Sequence, residues 1–321
     1  MHAVSFRCRA LLLALALDGL LPELPNRLHP VVAMGRWLSL GERLAPSGAA
    51  ARLLWGAGWL AGGLGLSVGL ARLLPRHWLL HGAAASTLLA YRGLDRAVGE
   101  VQAALESGDL DEARRLLSWH LVSRPTAELR ADEVAAAAIE SLAENLSDSL
   151  VGPLLAYLLA GLPGLVSYRM VNTADAMWGY RSERYEWLGK SAARSDDGLN
   201  LLPARLTALL LMAAAQLVQR RGAATWQVAY RDARRTASPN AGWPMAAMAG
   251  ALDTTLTKRD HYILGDGVRL PDAAMLAEAR RIGRVALALL LAGLVAGAAA
   301  PGRRESRGVQ LPNPCSSLQI G

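Results

Sequence analysis

Phenylalanine is nearly missing from this chain: one residue in 321, against nine tryptophans and seven tyrosines. The rings that remain mostly carry a polar atom, which suits a membrane–water boundary better than a dry core. Cysteine is almost as scarce. Cys8 and Cys315 are the only two, which excludes a disulfide framework and a cysteine-based zinc site. No Walker A sequence occurs, and no G-x-G-x-x-G opens a helix, so any nucleotide must bind in a non-standard way. Strand-like alternation and fixed-period repeats are also missing, which argues against a sheet protein or a solenoid.

What the chain has is apolar length. Hydrophobic residues make up 52% and mean hydropathy is +0.21, with Leu and Ala dominating the runs. Leu53–Leu74 matches the ~20 residues that a bilayer core requires. Its glycines Gly56, Gly58, Gly62, Gly63, Gly65 and Gly69 permit close helix contact in lipid. Val285–Ala300 and Leu199–Val218 are further candidates, while Trp78–Tyr91, Leu150–Val166 and Ala10–Leu21 are shorter. The expected fold is an all-α, polytopic integral membrane protein with roughly four to six spans, its polar helical loops forming the site. Arg7 and Arg9 before Ala10–Leu17 resemble a signal peptide, but Asp18 interrupts the run and no small-residue cleavage site follows. A retained first helix is expected. The net charge of +7 is read as cytoplasmic loops obeying the positive-inside rule, not as a nucleic-acid surface. Residues 1–301 form one membrane domain, and the polar, aperiodic tail 302–321 is expected to be disordered.

Polar blocks separate the apolar ones. In Arg92–Glu133, the run Asp109–Leu117 reads as an amphipathic surface helix. The densest block is Val171–Asn200. If Leu150–Val166 and Leu199–Val218 each crossed once, that block would face away from its neighbours. A re-entrant Leu150–Val166, broken at Gly152, Pro153, Gly161 and Pro163, removes the conflict, because such breaks are tolerated where they line a protein cavity.

Ionisable residues this close to lipid point to function. Glu140, Glu144 and Asp148, spaced i, i+4, i+8, put three carboxylates on one helical face. Oxygen ligands held this way suit Mg²⁺, which prefers one or two carboxylates plus substrate phosphates; the bland alternative is a solvated face. Asn172 and Asp175 share a helix face. Arg181, Arg184 and Lys190 suit phosphate contacts, or are plain juxtamembrane charge. Asp196 and Asp197 precede an apolar helix. Adjacent residues diverge on a helix, so one of the two is expected to face the site, and an N-cap is the bland role for Asp197. Ser238, Pro239, Asn240, Gly242 and Pro244 form a stiff turn opening a small-residue helix, a place for an anion. His77 and His81 are i, i+4, but packing is preferred to metal binding because no carboxylate or Cys supports them. His29, before Pro30, reads as a turn residue.

Several long segments carry a resemblance: LHPVVAMGRW from Leu28, IESLAENLSDSLVGPLLAYLLAGLPG from Ile139, YRMVNTADAMWGYRSERYEWLGKSAA from Tyr168, DDGLNLLPARLTALLL from Asp196 and SPNAGWPMAAMAGAL from Ser238. In this order they closely resemble adenosylcobinamide-phosphate synthase of the CobD/CbiB family, a membrane enzyme of cobalamin biosynthesis. The resemblance implies ATP-dependent amide ligation of adenosylcobyric acid, a corrinoid, with aminopropanol phosphate or a related amino alcohol. ATP and Mg²⁺ are the implied cofactors, membrane lipid and other corrin-pathway enzymes the implied partners, and nucleic acid is not one. A bacterial inner-membrane location follows, with the site on the cytoplasmic side.

On that reading Glu140, Glu144, Asp175 and Asp197 are the catalytic candidates, and Glu144, Asp148 and Asp175 the metal ligands. Arg124, Asn172, Arg181, Arg184, Lys190, Asn200 and Asn240 hold substrate. No general base is assigned. Three departures from the family pattern stand out. Pro125 follows Ser123 and Arg124 where an Asp is usual, Met245 stands where Glu is common, and the Gly-Asp-Pro usually found before the His-Pro pair is missing. They give weight to a rival, a non-catalytic membrane sensor or accessory paralogue of AmpE type. A transporter is a third reading, weakened by the lack of matching half-repeats.

Overall fold

The computed structural model describes residues 3–22, 24–259 and 261–299. The tail expected to be disordered, with Cys315, lies outside them. Thirteen α-helices are described. They run α1 (Ala3–Leu20), α2 (Pro30–Arg43), α3 (Ala49–Leu73), α4 (Trp78–Ser86), α5 (Tyr91–Glu106), α6 (Leu110–His120) and α7 (Ala131–Leu146). A π-helical turn, Ser147–Val151, joins α7 to α8 (Gly152–Trp178). Then come α9 (Lys190–Leu199), α10 (Leu201–Gln219), α11 (Gly222–Asp232), α12 (Gly242–Leu252) and α13 (Ala273–Ala299).

The strand-free expectation needs one correction. Leu256–Lys258 (β1) and Tyr262–Leu264 (β2) form an antiparallel hairpin between α12 and α13, with Lys258 opposite Tyr262. Strands of three residues are too short to show an alternating pattern, and pairing across the turn stabilises them.

Four helical stretches are long and apolar enough to cross a membrane: Ala49–Leu73, Ala131–Trp178, Leu201–Gln219 and Ala273–Ala299. Only 17% of the apolar window in α3 and 22% in α13 is buried by the protein, against 56% in Ala131–Trp178. The first two therefore turn apolar surface outward to lipid, and the last is the core. Alanine makes that core dense. Every residue of α12 and eleven of α7 are buried, because small side chains let helix backbones approach closely. The α3 glycines divide the same way. Gly56 and Gly63 abut the Leu188 backbone and Met170, while Gly58, Gly65 and Gly69 face open space.

The break expected in Leu150–Val166 decides the topology. Gly161 has φ +69° and ψ −155°, a conformation that costs glycine little and L-residues much. The chain folds back there. Residues 152–160 and 162–178 form a helical hairpin in which a Cβ on Gly152 would overlap the Tyr168 ring. Arg7 of α1 donates to the carbonyls of Leu158 (2.6 Å) and Leu159 (2.9 Å), satisfying the end of the outgoing arm as a basic C-cap does. Glu140–Asp148 and Asn172–Asp197 thus lie at the same end of the bundle.

Smaller features follow their local signals. Asp109 caps α6, accepting from the Glu112 N–H at 2.9 Å. His29 Nδ1 caps α2 by accepting from the Val31 N–H at 3.3 Å. His81 is buried with Nδ1 3.2 Å from the Tyr157 hydroxyl, and among the described residues no group of His, Cys, Asp and Glu forms a metal cage.

Candidate active site

The two arms meet level by level. With Gly152 against Tyr168, one turn back on the outgoing arm is Asp148, and one turn on along the returning arm is Asn172. The next turn brings Glu144 toward Asp175, and Asp148, Glu144 and Asp175 lie close enough to feel one another's charge. The π turn carries Asp148 itself. Such turns widen a helix locally and are common at functional sites. Asp196 and Asp197 arrive from α9, and Asn240 from the turn before α12.

Glu144, Asp148, Asp175, Asp196, Asp197 and Asn240 help to bound a cavity of about 490 Å³. Five carboxylates line it: Glu144, Asp148, Asp175, Asp196 and Asp197. Arg181, Lys258 and His261 are the basic residues on its wall, and Tyr180, Asn200, Ser238 and Asn240 add polar contacts. An excess of partly buried negative charge is costly unless a cation enters.

Hydrogen bonds fix the amides. Asn200 is 1% exposed, accepts from the Tyr168 hydroxyl at 2.6 Å and donates to Asp196 at 2.9 Å. Asn172 donates to the other Asp196 oxygen at 3.4 Å. Asn240 Nδ2 donates to the Asp197 carbonyl at 2.7 Å, tying the α12 turn to α9. Burial raises the Asp196 carboxyl above its ordinary value, partly offset by Asn200 and Asn172. Asn172 therefore reaches the site through Asp196 and is not on the cavity wall.

Both Asp196 and Asp197 line the cavity, where one had been expected. It wraps the end of α9, so the two side chains reach it from adjacent directions. Neither is an N-cap, because α9 runs through both and Asn200 occupies the cap position of α10.

Four other candidates fall elsewhere. Arg184 forms an ion pair with Glu42 and lies against the Tyr185 ring. It braces α2 and is not on the cavity wall. Lys190 pairs with Glu186 at 3.0 Å and sits over Trp187. It lines an adjoining chamber of about 270 Å³ that shares Tyr180, Arg181 and Asp197 with the main cavity. Glu140 is 5% exposed with Oε1 unpartnered, and Arg124 and Tyr262 are its electrostatic neighbours. Glu140 is buried and the other two are half-buried, and the group lies beside the cavity, one helical turn behind Glu144. Burial and then the Glu140 and Glu144 charges push the Tyr262 phenol up, so it remains a donor.

Sequence reasoning missed Lys258 and His261. They stand on the β1–β2 hairpin, where Lys258 faces the Glu144 and Glu140 carboxylates. Their only signal was the basic run Lys258–Arg259, which resembled surface charge. Met245 and Pro125 are not on the cavity wall. Met245 Sδ accepts from the Tyr262 hydroxyl at 3.8 Å, and Pro125 is exposed between α6 and α7.

The sequence family described as CobD/Cbib protein matches residues 11–290. The chain belongs to the CobD/CbiB family. A cobalamin biosynthesis protein CobD of Dehalococcoides mccartyi is 39% identical over 273 residues, covering 80% of this chain and 86% of the relative. A probable cobalamin biosynthesis protein CobD of Methanothermobacter thermautotrophicus is 38% identical over 281 residues, covering 87% and 94%. A cobalamin biosynthesis protein CobD of Geobacter metallireducens is 42% identical over 243 residues, covering 73% and 76%. No solved structure matches the chain.

Proposed function

We propose that this member of the CobD/CbiB family acts in cobalamin biosynthesis as the amide ligase joining adenosylcobyric acid to aminopropanol phosphate or a related amino alcohol. Five carboxylates around one cavity, with Lys258 and Arg181 on the same wall, carry this reading. A carboxylate does not acylate an amine by itself, and coupling to ATP cleavage supplies the activation. The donor set fits Mg²⁺: it is all oxygen and carries excess negative charge. Three acidic or imidazole side chains do not converge into a closed cage among the described residues. That suits a cation held by one or two carboxylates and by substrate phosphates. Glu144, Asp148 and Asp175 are the candidates from which one or two would hold it, and Mg²⁺ bound there would supply positive charge against the phosphates.

The chain's own groups have separable tasks. Arg181 and Lys258 offset phosphate charge from the cavity wall, and Lys190 extends that charge into the adjoining chamber. Asn200, fixed between Tyr168 and Asp196, and Asn240, tied to α9, present rigid polar edges that orient a substrate. Lipid-facing α3 and α13 support a membrane location; on this reading the membrane is the bacterial inner membrane, with the cavity open to the cytoplasm, where ATP is.

The accessory-protein alternative rests on Pro125 and Met245, and neither residue touches the cavity. The test is an assay of purified protein in detergent with adenosylcobyric acid, aminopropanol phosphate, ATP and Mg²⁺. Amide product requiring both ATP and Mg²⁺ is expected. A folded protein that yields none with any amino alcohol would favour the accessory reading.

A further inference from the structure

The end of the bundle remote from the carboxylates holds a second site of opposite charge. Arg52, near the start of α3, donates to the Arg184 carbonyl; Arg72, at the far end of that helix, is roughly 30 Å away at 1.5 Å per residue. That is about the thickness of bilayer hydrocarbon. A cavity of about 500 Å³ lies there, bounded by Arg7, Arg72, Arg76, His81 and the hairpin fold at Gly161. Among the described residues no carboxylate lines it, and Arg72 and Arg76 have no acidic partner. His81 is 8% exposed, and its Nε2 has no hydrogen-bond partner. Three guanidinium groups and a buried, unpartnered ring nitrogen around one space call for an anion.

The space continues as an apolar groove. Ala71, Leu74 and Leu162 bound this cavity and also a second one of about 330 Å³. The groove runs from Leu74 back to Gly63 along α3, roughly 16 Å at 1.5 Å per residue, and Trp37 and Met170 line it. Apart from the hydroxyls of Ser67 and Thr87, its wall is apolar. A charged head pocket opening into an apolar slot is complementary to an amphiphile. A free phosphate would leave the slot unfilled.

We propose that the joined cavities bind one anionic phospholipid, its phosphate among Arg7, Arg72 and Arg76 and one acyl chain in the groove. The bound lipid has a structural consequence at the other end. Arg7 already holds the Leu158 and Leu159 carbonyls, so a phosphate beside it braces the hairpin fold. The two arms leading from that fold carry Asp148 and Asp175.

The test is thermal unfolding of the detergent-purified full chain with added dioleoyl phosphatidylglycerol, dioleoyl phosphatidylcholine or glycerol phosphate. Phosphatidylglycerol should raise the unfolding midpoint, and the other two should not. The double variant R72Q/R76Q should need on the order of tenfold more phosphatidylglycerol for half the shift. Ala33→Trp, which fills the groove from an exposed position on α2, should weaken the effect while leaving the lipid-free midpoint nearly unchanged. Native mass spectrometry of wild type in an equimolar lipid mixture should show phosphatidylglycerol retained over phosphatidylcholine, and needs no variant. An equal shift with glycerol phosphate, equal retention of both lipids, or an undiminished shift in R72Q/R76Q or Ala33→Trp would overturn the proposal.

Discussion

Two acidic regions of this protein handle charge in opposite ways. At the α5–α13 contact, Asp95 meets Arg280 at 3.0 Å and Arg284 at 3.2 Å, and Gln102 accepts from Arg280 at 2.8 Å. Burial alone would raise the Asp95 carboxyl, but hydrogen bonds and charge from Arg280 and Arg284 hold it below the usual range. In the hairpin cavity, five carboxylates crowd together, and few cations share their wall. The first arrangement is complete and holds two helices together. The second leaves its acids without matching positive charge, which is what marks it as a candidate site.

The sharpest break of this comparison is neutralisation of cavity carboxylates at nearly constant volume. Glu144→Gln or Asp175→Asn should lower the proposed ligase turnover by at least roughly 10²-fold while the protein still inserts and folds. Near-normal turnover at low Mg²⁺ in both variants would make the cavity acids a solvated face. Asp95→Asn should do the reverse. Losing the charge-assisted bonds to Arg280 and Arg284 should cost about 1–3 kcal/mol of stability, read by thermal unfolding. Turnover per folded molecule should be unchanged.

A smaller effect concerns pH in metal-free protein. Asp95, depressed when folded, contributes stability above its unfolded value of about 4, and this is lost as pH falls through its folded value. Asp196 is raised when folded. Its contribution is present below about pH 4 and is lost as pH rises through the raised value. At neutral pH, Asp196→Asn should therefore unfold at a higher temperature than wild type, and Asp95→Asn at a lower one. Added Mg²⁺ should narrow the gap between Asp196→Asn and wild type, and a gap of unchanged size would separate Asp196 from the metal. The smallest effect is expected at Pro125. Because it is exposed and lies off the cavity wall, Pro125→Asp should leave turnover and its Mg²⁺ dependence as they are. Restored or cation-sparing activity in that variant, measured by Mg²⁺ titration, would bring the α6–α7 loop into the site.

Much of this was legible in the residues. The helical spacing of Glu144 and Asp148, the break at Gly161 and the amphipathic helix within Asp109–Leu117 are local properties, set within a few turns of chain. Arg184 misled because a guanidinium group reaches several ångströms, and its partner, Glu42, was not distinguishable from other acids in the sequence. Lys258 and His261 were hidden because strands of three residues leave no periodic trace.

By itself the sequence determined the chemistry of the protein: lipid-compatible helices, a set of acids that lipid contact makes expensive, and family membership carried by long motifs. Those follow from hydropathy and residue type, which do not depend on fold. Only the tertiary structure decided which acids meet. Folding back at Gly161 places residues more than twenty positions apart at one level of the bundle. The same fold puts three arginines at the opposite end, because a helical hairpin has one tip and two arms, and burial of each depends on what packs around it.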